Sequence, residues 1–243
     1  MSEILQFIGV DAGYGGIKIL KDLSFHVMEG EVLGVIGPNG CGKTTMFNAL
    51  IGLIYPVAGS IVFDGHDITK ATPNNRCKNG IGRTYQVPRP FENMSVFENV
   101  LVAAVHGAGL REKAGAAVCI EALELTNLYD KRDVHAGTLT LLDRKRLEIA
   151  RALGTQPKLL LLDEVAAGLT DAEVHDVMEL VSTLRASGQT IIWIEHVIQT
   201  MVNSTDRLMC MSDGRVLLAG NPLDVMNSRE VEEIYLGVED DDQ

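Results

Sequence analysis

Gly37-Pro38-Asn39-Gly40-Cys41-Gly42-Lys43-Thr44, followed by Thr45, fits the spacing G-x-x-x-x-G-K-[ST]. Glycine carries no Cβ, so successive backbone N–H groups can curl around phosphate oxygens. A lysine at the start of the next helix can reach β- and γ-phosphates, a threonine hydroxyl can bind Mg²⁺, and the helix adds its positive end. The segment reads as a polyphosphate cradle. The bland alternative is a chance Gly-rich turn. An apolar strand expected over 31–36 and a helical run over 44–51 supply the flanks that the cradle requires.

A second group follows the apolar run Leu159-Leu160-Leu161-Leu162, which ends in Asp163-Glu164. Ligands of open α/β sheets bind at the C-terminal ends of strands. There Asp163 can hold Mg²⁺ through water, and Glu164 can orient and deprotonate an attacking water. Without the phosphate loop, the same pair would read as a solvated acidic turn. The run 191–194 repeats the design and ends in Glu195-His196. A histidine at such an end is ordinarily structural or exposed. At this place in the order it reads as a γ-phosphate contact.

The elements that must position these groups can be outlined. Strands are expected over 4–10, 19–27, 31–36 and 60–63, with a turn at Asp64-Gly65. From about 94 to 152 the pattern is helical. Beyond Pro157 come a strand (159–162), a helix (171–186) and a strand (190–194), then a hairpin over 207–219 turning at Ser212-Asp213-Gly214. Helices alternating with buried strands imply an α/β fold with a parallel sheet, here with a helical insertion. The 243 residues carry 21 basic and 33 acidic side chains, a formal charge of −12, which argues against a nucleic-acid partner. The chain is 46% hydrophobic and 22% charged, a globular composition. No apolar run approaches the roughly 18–20 residues of a membrane span, and no leader pattern opens the sequence. Cys41, Cys77, Cys119 and Cys210 show no metal or redox spacing, so a cytoplasmic protein with reduced thiols is expected.

The order phosphate loop, Gln86, Arg146 to Ala152, Asp163-Glu164, His196 resembles the ATP-binding subunit of an ABC transporter along essentially the whole chain. The likeness is greatest to the branched-chain amino acid importer subgroup. It is carried by Ile81-Gly82-Arg83-Thr84-Tyr85-Gln86, Met94-Ser95-Val96-Phe97-Glu98-Asn99-Val100, the run 146–153 and the run 230–237. The resemblance implies a single nucleotide-binding domain with a P-loop NTPase (RecA-like) core, an antiparallel β edge and an inserted helical subdomain. The core lobe would span about 1–86 and 155–220, the helical lobe about 87–154, and a C-terminal helix with an acidic tail 221–243. It implies that Tyr14 stacks on adenine and that Thr44, Gln86 and Asp163 serve Mg²⁺. Glu164 would be the catalytic base, with Lys43 and His196 acting on the phosphates, and 87–91 would receive a helix of a membrane subunit. The implied activity is ATP hydrolysis coupled to uptake of branched-chain amino acids or similar small solutes, on the inner face of the membrane. The implied partners are a second ATP-binding subunit, two permeases and an external solute-binding protein. The rival readings are a soluble ABC-type ATPase and a regulatory ATP-binding subunit with little turnover.

The family's Leu-Ser-Gly-Gly-Gln signature is here Leu139-Thr140-Leu141-Leu142-Asp143. Thr140 keeps a hydroxyl. Leu141 and Leu142 add bulk, and Asp143 adds negative charge where a polyanion is expected. Val165 stands where proline is usual, and Thr170 where Asp or Asn is usual. These departures favour pairing with a different ATPase subunit over a homodimer with two working sites. Cys41, inside the phosphate loop, reads first as a small buried hydrophobe. The alternative is that the helix N-terminus lowers its thiol pKa, so that alkylation blocks ATP binding and ATP protects.

Overall fold

Strands β1 (Glu3–Tyr14), β2 (Ile17–Met28) and β3 (Val32–Ile36) open the chain, followed by α1 (Lys43–Leu50), β4 (Ala58–Phe63) and β5 (His66–Asp67). Next come α2 (Pro73–Lys78), β6 (Ile81–Arg83), α3 (Val96–Val102), α4 (Glu112–Leu125) and α5 (Leu141–Gly154). The chain continues through β7 (Leu159–Asp163), α6 (Asp171–Ala186), β8 (Thr190–Ile194) and α7 (Ile198–Ser204). It closes with β9 (Arg207–Ser212), β10 (Arg215–Gly220), α8 (Pro222–Met226) and α9 (Arg229–Leu236). These elements belong to a computed structural model that describes residues 2–195 and 198–236. His196 and the acidic run 239–242 lie outside the described residues. No helix among those described is long and apolar enough to cross a membrane.

The chain forms two compact units, one built from residues up to Ala71 and from Trp193 on, the other from Thr72–Ile192. In the first, an antiparallel sheet has the order β2-β1-β4-β5. Along β1, buried Leu5, Phe7, Val10 and Ala12 fall mostly two apart, the period of a sheet with one covered face. Phe7 stacks on Phe25 across the β1–β2 pair with ring centroids 4.7 Å apart. In the same unit β3 pairs in parallel with β9, from Leu33 opposite Arg207 to Ile36 opposite Cys210, and β9 pairs antiparallel with β10. All five residues of β3 are buried, as expected of a parallel strand covered on both faces.

In the second unit β6 pairs in parallel with β7, Ile81 opposite Leu159 and Arg83 opposite Leu161. Every residue of β7 is buried. The helical part closes around Val96, Val100, Cys119, Leu123, Leu128 and Leu147. Its helices start where the sequence supplies caps. Ser95 and Glu98 form a reciprocal capping box at α3, and Thr170 with Glu173 does the same at α6. The mixed sheets and inserted helices match the expected α/β class. β8 carries the chain from the second unit into the first.

Candidate functional site

The phosphate loop lies between β3 and α1, where its spacing placed it. Gly37, at φ 148°, and Gly42, at φ 111°, adopt backbone conformations that favour glycine. A Cβ on Gly37 would meet the carbonyl oxygen of Met211 at 2.3 Å. Lys43 is buried, and its Nζ donates to the carbonyls of Gly37 at 2.6 Å and Pro38 at 3.1 Å. The ammonium is thus held inside the turn of the loop. Thr44 is exposed at the first turn of α1, whereas Thr45 is buried. Asn39 and Gly40 are exposed at the loop tip. Tyr14 ends β1 with its ring half-exposed, and its hydroxyl accepts from Asn48 Nδ2 at 2.6 Å.

Of the two readings of Cys41, the structure favours the buried hydrophobe over the reactive thiol. It is buried, and burial pushes its pKa up, outweighing the opposing pull of the Lys43 charge. Its sulfur packs so closely under Gly37 that a Cβ there would lie 2.8 Å from Sγ. The small buried hydrophobe is the better description.

In the second unit Asp163 ends β7 with its carboxylate 2.7 Å from Arg83 Nη2, both side chains buried. Its backbone N–H donates to Thr84 Oγ1 at 3.1 Å, which fixes the strand end. Glu164 follows in the left-handed region at φ 48°. Gln86 Nε2 donates to Glu164 Oε2. Lys145, from α5, donates to the backbone carbonyls of Gln86 at 2.6 Å and Glu164 at 3.0 Å. The structure therefore brings together Gln86 and Glu164, 78 residues apart in sequence. The next stretch is also pinned. Glu148 Oε1 accepts from the Arg89 N–H at 2.9 Å, and Asn99 Oδ1 accepts from the Phe91 N–H at 2.8 Å. Val87 and Phe91 stay exposed.

The altered signature forms the start of α5. Thr140 is the N-cap, its hydroxyl accepting from the Asp143 N–H at 3.2 Å. Asp143, expected to add negative charge near a polyanion, is turned inward and paired. Its carboxylate is buried, paired with Lys131 and 3.9 Å from Arg146. Arg146 in turn reaches Asp176 of α6 at 3.0 Å. Leu141 remains 45% exposed at the first helical position, so the added bulk does face outward.

The ABC transporter family model matches residues 20–167, more than half of the chain. The chain belongs to the ABC transporter family. A lipopolysaccharide export system ATP-binding protein of Acidithiobacillus ferridurans is 35% identical over 98% of both chains. A probable branched-chain amino acid transport ATP-binding protein of Archaeoglobus fulgidus is 34% identical over 98% of this chain and 97% of its own. A solved ATP-binding cassette of an ABC transporter in its ADP conformation superposes with a TM-score of 0.89 at 32% identity, covering 98% of this chain and all of the other. This ABC transporter subunit is thus an ATP-binding, ATP-hydrolysing cassette with the P-loop NTPase fold.

Oxygen donors of the kind Mg²⁺ prefers are present in Thr44, Gln86 and Asp163. Among the described residues no group of three or more His, Cys, Asp or Glu could hold a metal ion. Lys145 escaped the sequence reading because a lysine inside a helix is normally solvated. Arg83 lies within the run that carries the family resemblance, but nothing in one sequence shows that it faces Asp163.

Proposed function

We propose that this subunit hydrolyses ATP to drive uptake of branched-chain amino acids or similar small solutes. The observation that carries its catalytic part is the Gln86–Glu164 hydrogen bond at the end of β7, which holds a carboxylate ready for water. The loop N–H groups and Lys43 bind the polyphosphate; Thr44, Gln86 and Asp163 are the residues that would hold Mg²⁺, which would supply charge neutralisation. Glu164 takes the proton from the attacking water. Tyr14 offers a ring face to the adenine, and His196 contacts the γ-phosphate. Exposed Val87 and Phe91 offer an apolar landing for a permease helix.

The substrate class rests on likeness to branched-chain amino acid transport ATP-binding proteins of Archaeoglobus fulgidus and Pseudomonas aeruginosa, each 34% identical. A second reading, lipopolysaccharide export, is favoured by relatives of equal similarity, such as that of Haemophilus influenzae at 34%. A second ATP-binding subunit, two permeases and an external binding protein complete the importer, docked on the inner face of the membrane.

The deciding experiment reconstitutes the subunit with candidate permease subunits, in proteoliposomes holding ATP. Leucine uptake that needs ATP and an external binding protein supports import. ATP-driven extraction of lipopolysaccharide, with no amino acid uptake, replaces it with export.

A further inference from the structure

Lys145 sits in the second turn of α5 and is only 2% exposed. A buried ammonium is unfavourable unless its N–H groups find acceptors. Two of its acceptors are the backbone carbonyls of Gln86 at 2.6 Å and Glu164 at 3.0 Å. These two residues are also joined side chain to side chain. Glu164 has a φ of 48°, in the region that side-chain-bearing residues seldom occupy. Such a conformation persists where surrounding contacts over-determine it. The Glu164 carbonyl also accepts from the Ala167 N–H at 3.2 Å, so the peptide is held from two directions. A hydrogen bond from an ionised donor is roughly twice as strong as a neutral one. One cation therefore ties the strained backbone of one residue and the loop backbone of the other to a rigid helix.

We propose that Lys145 is a positioning residue for ATP hydrolysis: its ammonium fixes the Gln86 and Glu164 backbones to α5 and so aims the Glu164 carboxylate. This deepens the proposed function and rests on the assignment of Glu164 as the base. The lysine acts through the two residues it holds.

The test measures kcat and KM for MgATP on the full-length subunit in its transporter assembly, for the wild type, Lys145→Met, Lys145→Arg and Glu164→Gln. Lys145→Met is expected to lower kcat about 10–100-fold, the usual size for loss of an outer-shell support, with KM nearly unchanged. Lys145→Arg, which keeps the charge and the donors, is expected to recover most of the rate. Wild-type kcat in Lys145→Met overturns the proposal. So does equal damage to kcat and KM in both variants, which marks a purely structural lysine. If Lys145→Met fails to fold, hydrogen exchange on Lys145→Gln replaces it. Faster exchange confined to the amides near 86–87 and 164–167 supports the anchor, and unchanged exchange there overturns it. Wild-type turnover in Glu164→Gln removes the base assignment, while the exchange measurement still reports on the anchor.

Discussion

Arg83 and Asp163 form a buried ion pair: Nη2 lies 2.7 Å from Oδ2, and each side chain is 6% exposed. The guanidinium also lies over the Tyr85 ring, 5.2 Å from its centroid. The carboxylate proposed to serve Mg²⁺ thus already has a fixed positive partner. Arg83→Met leaves a buried carboxylate without that partner, a loss of about 3–5 kcal/mol. At roughly 2–4 °C per kcal/mol for a chain of this size, the melting temperature is expected to fall by about 10 °C. Mg²⁺ with ADP should restore part of the loss by binding the folded state, giving a larger ligand-induced shift than in the wild type. Thermal melts with and without MgADP check this. A variant that melts like the wild type shows that the pair contributes nothing.

The start of α5 gives the second prediction. Thr140 accepts from the Asp143 N–H, and Asp143 is paired inside the helical unit, so the signature's departures leave the helix start well capped. Thr140→Ala is expected to cost about 1 kcal/mol, read from chemical denaturation. The outward bulk of Leu141 is a separate matter. If it obstructs close approach of a second subunit's nucleotide, Leu141→Gly with Leu142→Gly should raise phosphate release by the isolated subunit. Unchanged release in the double variant would leave the leucines without a role in partner choice.

Much of the fold was legible in the sequence because local signals were strong. The expected helix 171–186 and strand 190–194 have the observed bounds of α6 and β8. Thr170 with Glu173 sets the helix start, and Gly188, at φ 83°, follows its end. The phosphate loop was legible for the same reason: glycine spacing is local information. The hidden features all depend on distant contacts. Arg83 and Asp163 are 80 residues apart, and Lys145 is 59 residues from Gln86. Asp143 reads in sequence as an added negative charge near a polyanion because its neutralising partner, Lys131, precedes the helix that Asp143 helps to start.

Acid should loosen the helix starts before the sheet. The carboxyl groups of Glu98 and Glu173 are held below their ordinary pKa, chiefly by the backbone N–H groups of Ser95 and Thr170. A lowered folded-state pKa means that the stabilisation is fully present above the unfolded value, near 4.5. It is lost as pH falls through the folded value. Both groups are exposed, so each effect is small. Glu98→Gln should therefore narrow the difference in melting temperature between pH 6 and pH 3. An unchanged difference would show that this capping box does not titrate with folding.

Thiol labelling separates burial from helix-end activation. Cys119 and Cys210 are pushed up to about 11 by burial, and burial also raises Cys41 and Cys77. At pH 8 a thiol with a pKa of about 11 is ionised roughly once in a thousand molecules, and the thiolate is the reacting species. Cys77 is half-buried, whereas Cys41, Cys119 and Cys210 are buried. In the folded subunit, iodoacetamide at pH 8 is therefore expected to modify Cys77 first and to reach the other three only on unfolding, with or without ATP. Peptide mapping after a time course checks the order. Fast, ATP-protected labelling of Cys41 would mean that the N-terminus of α1 and Lys43 outweigh desolvation in the phosphate loop.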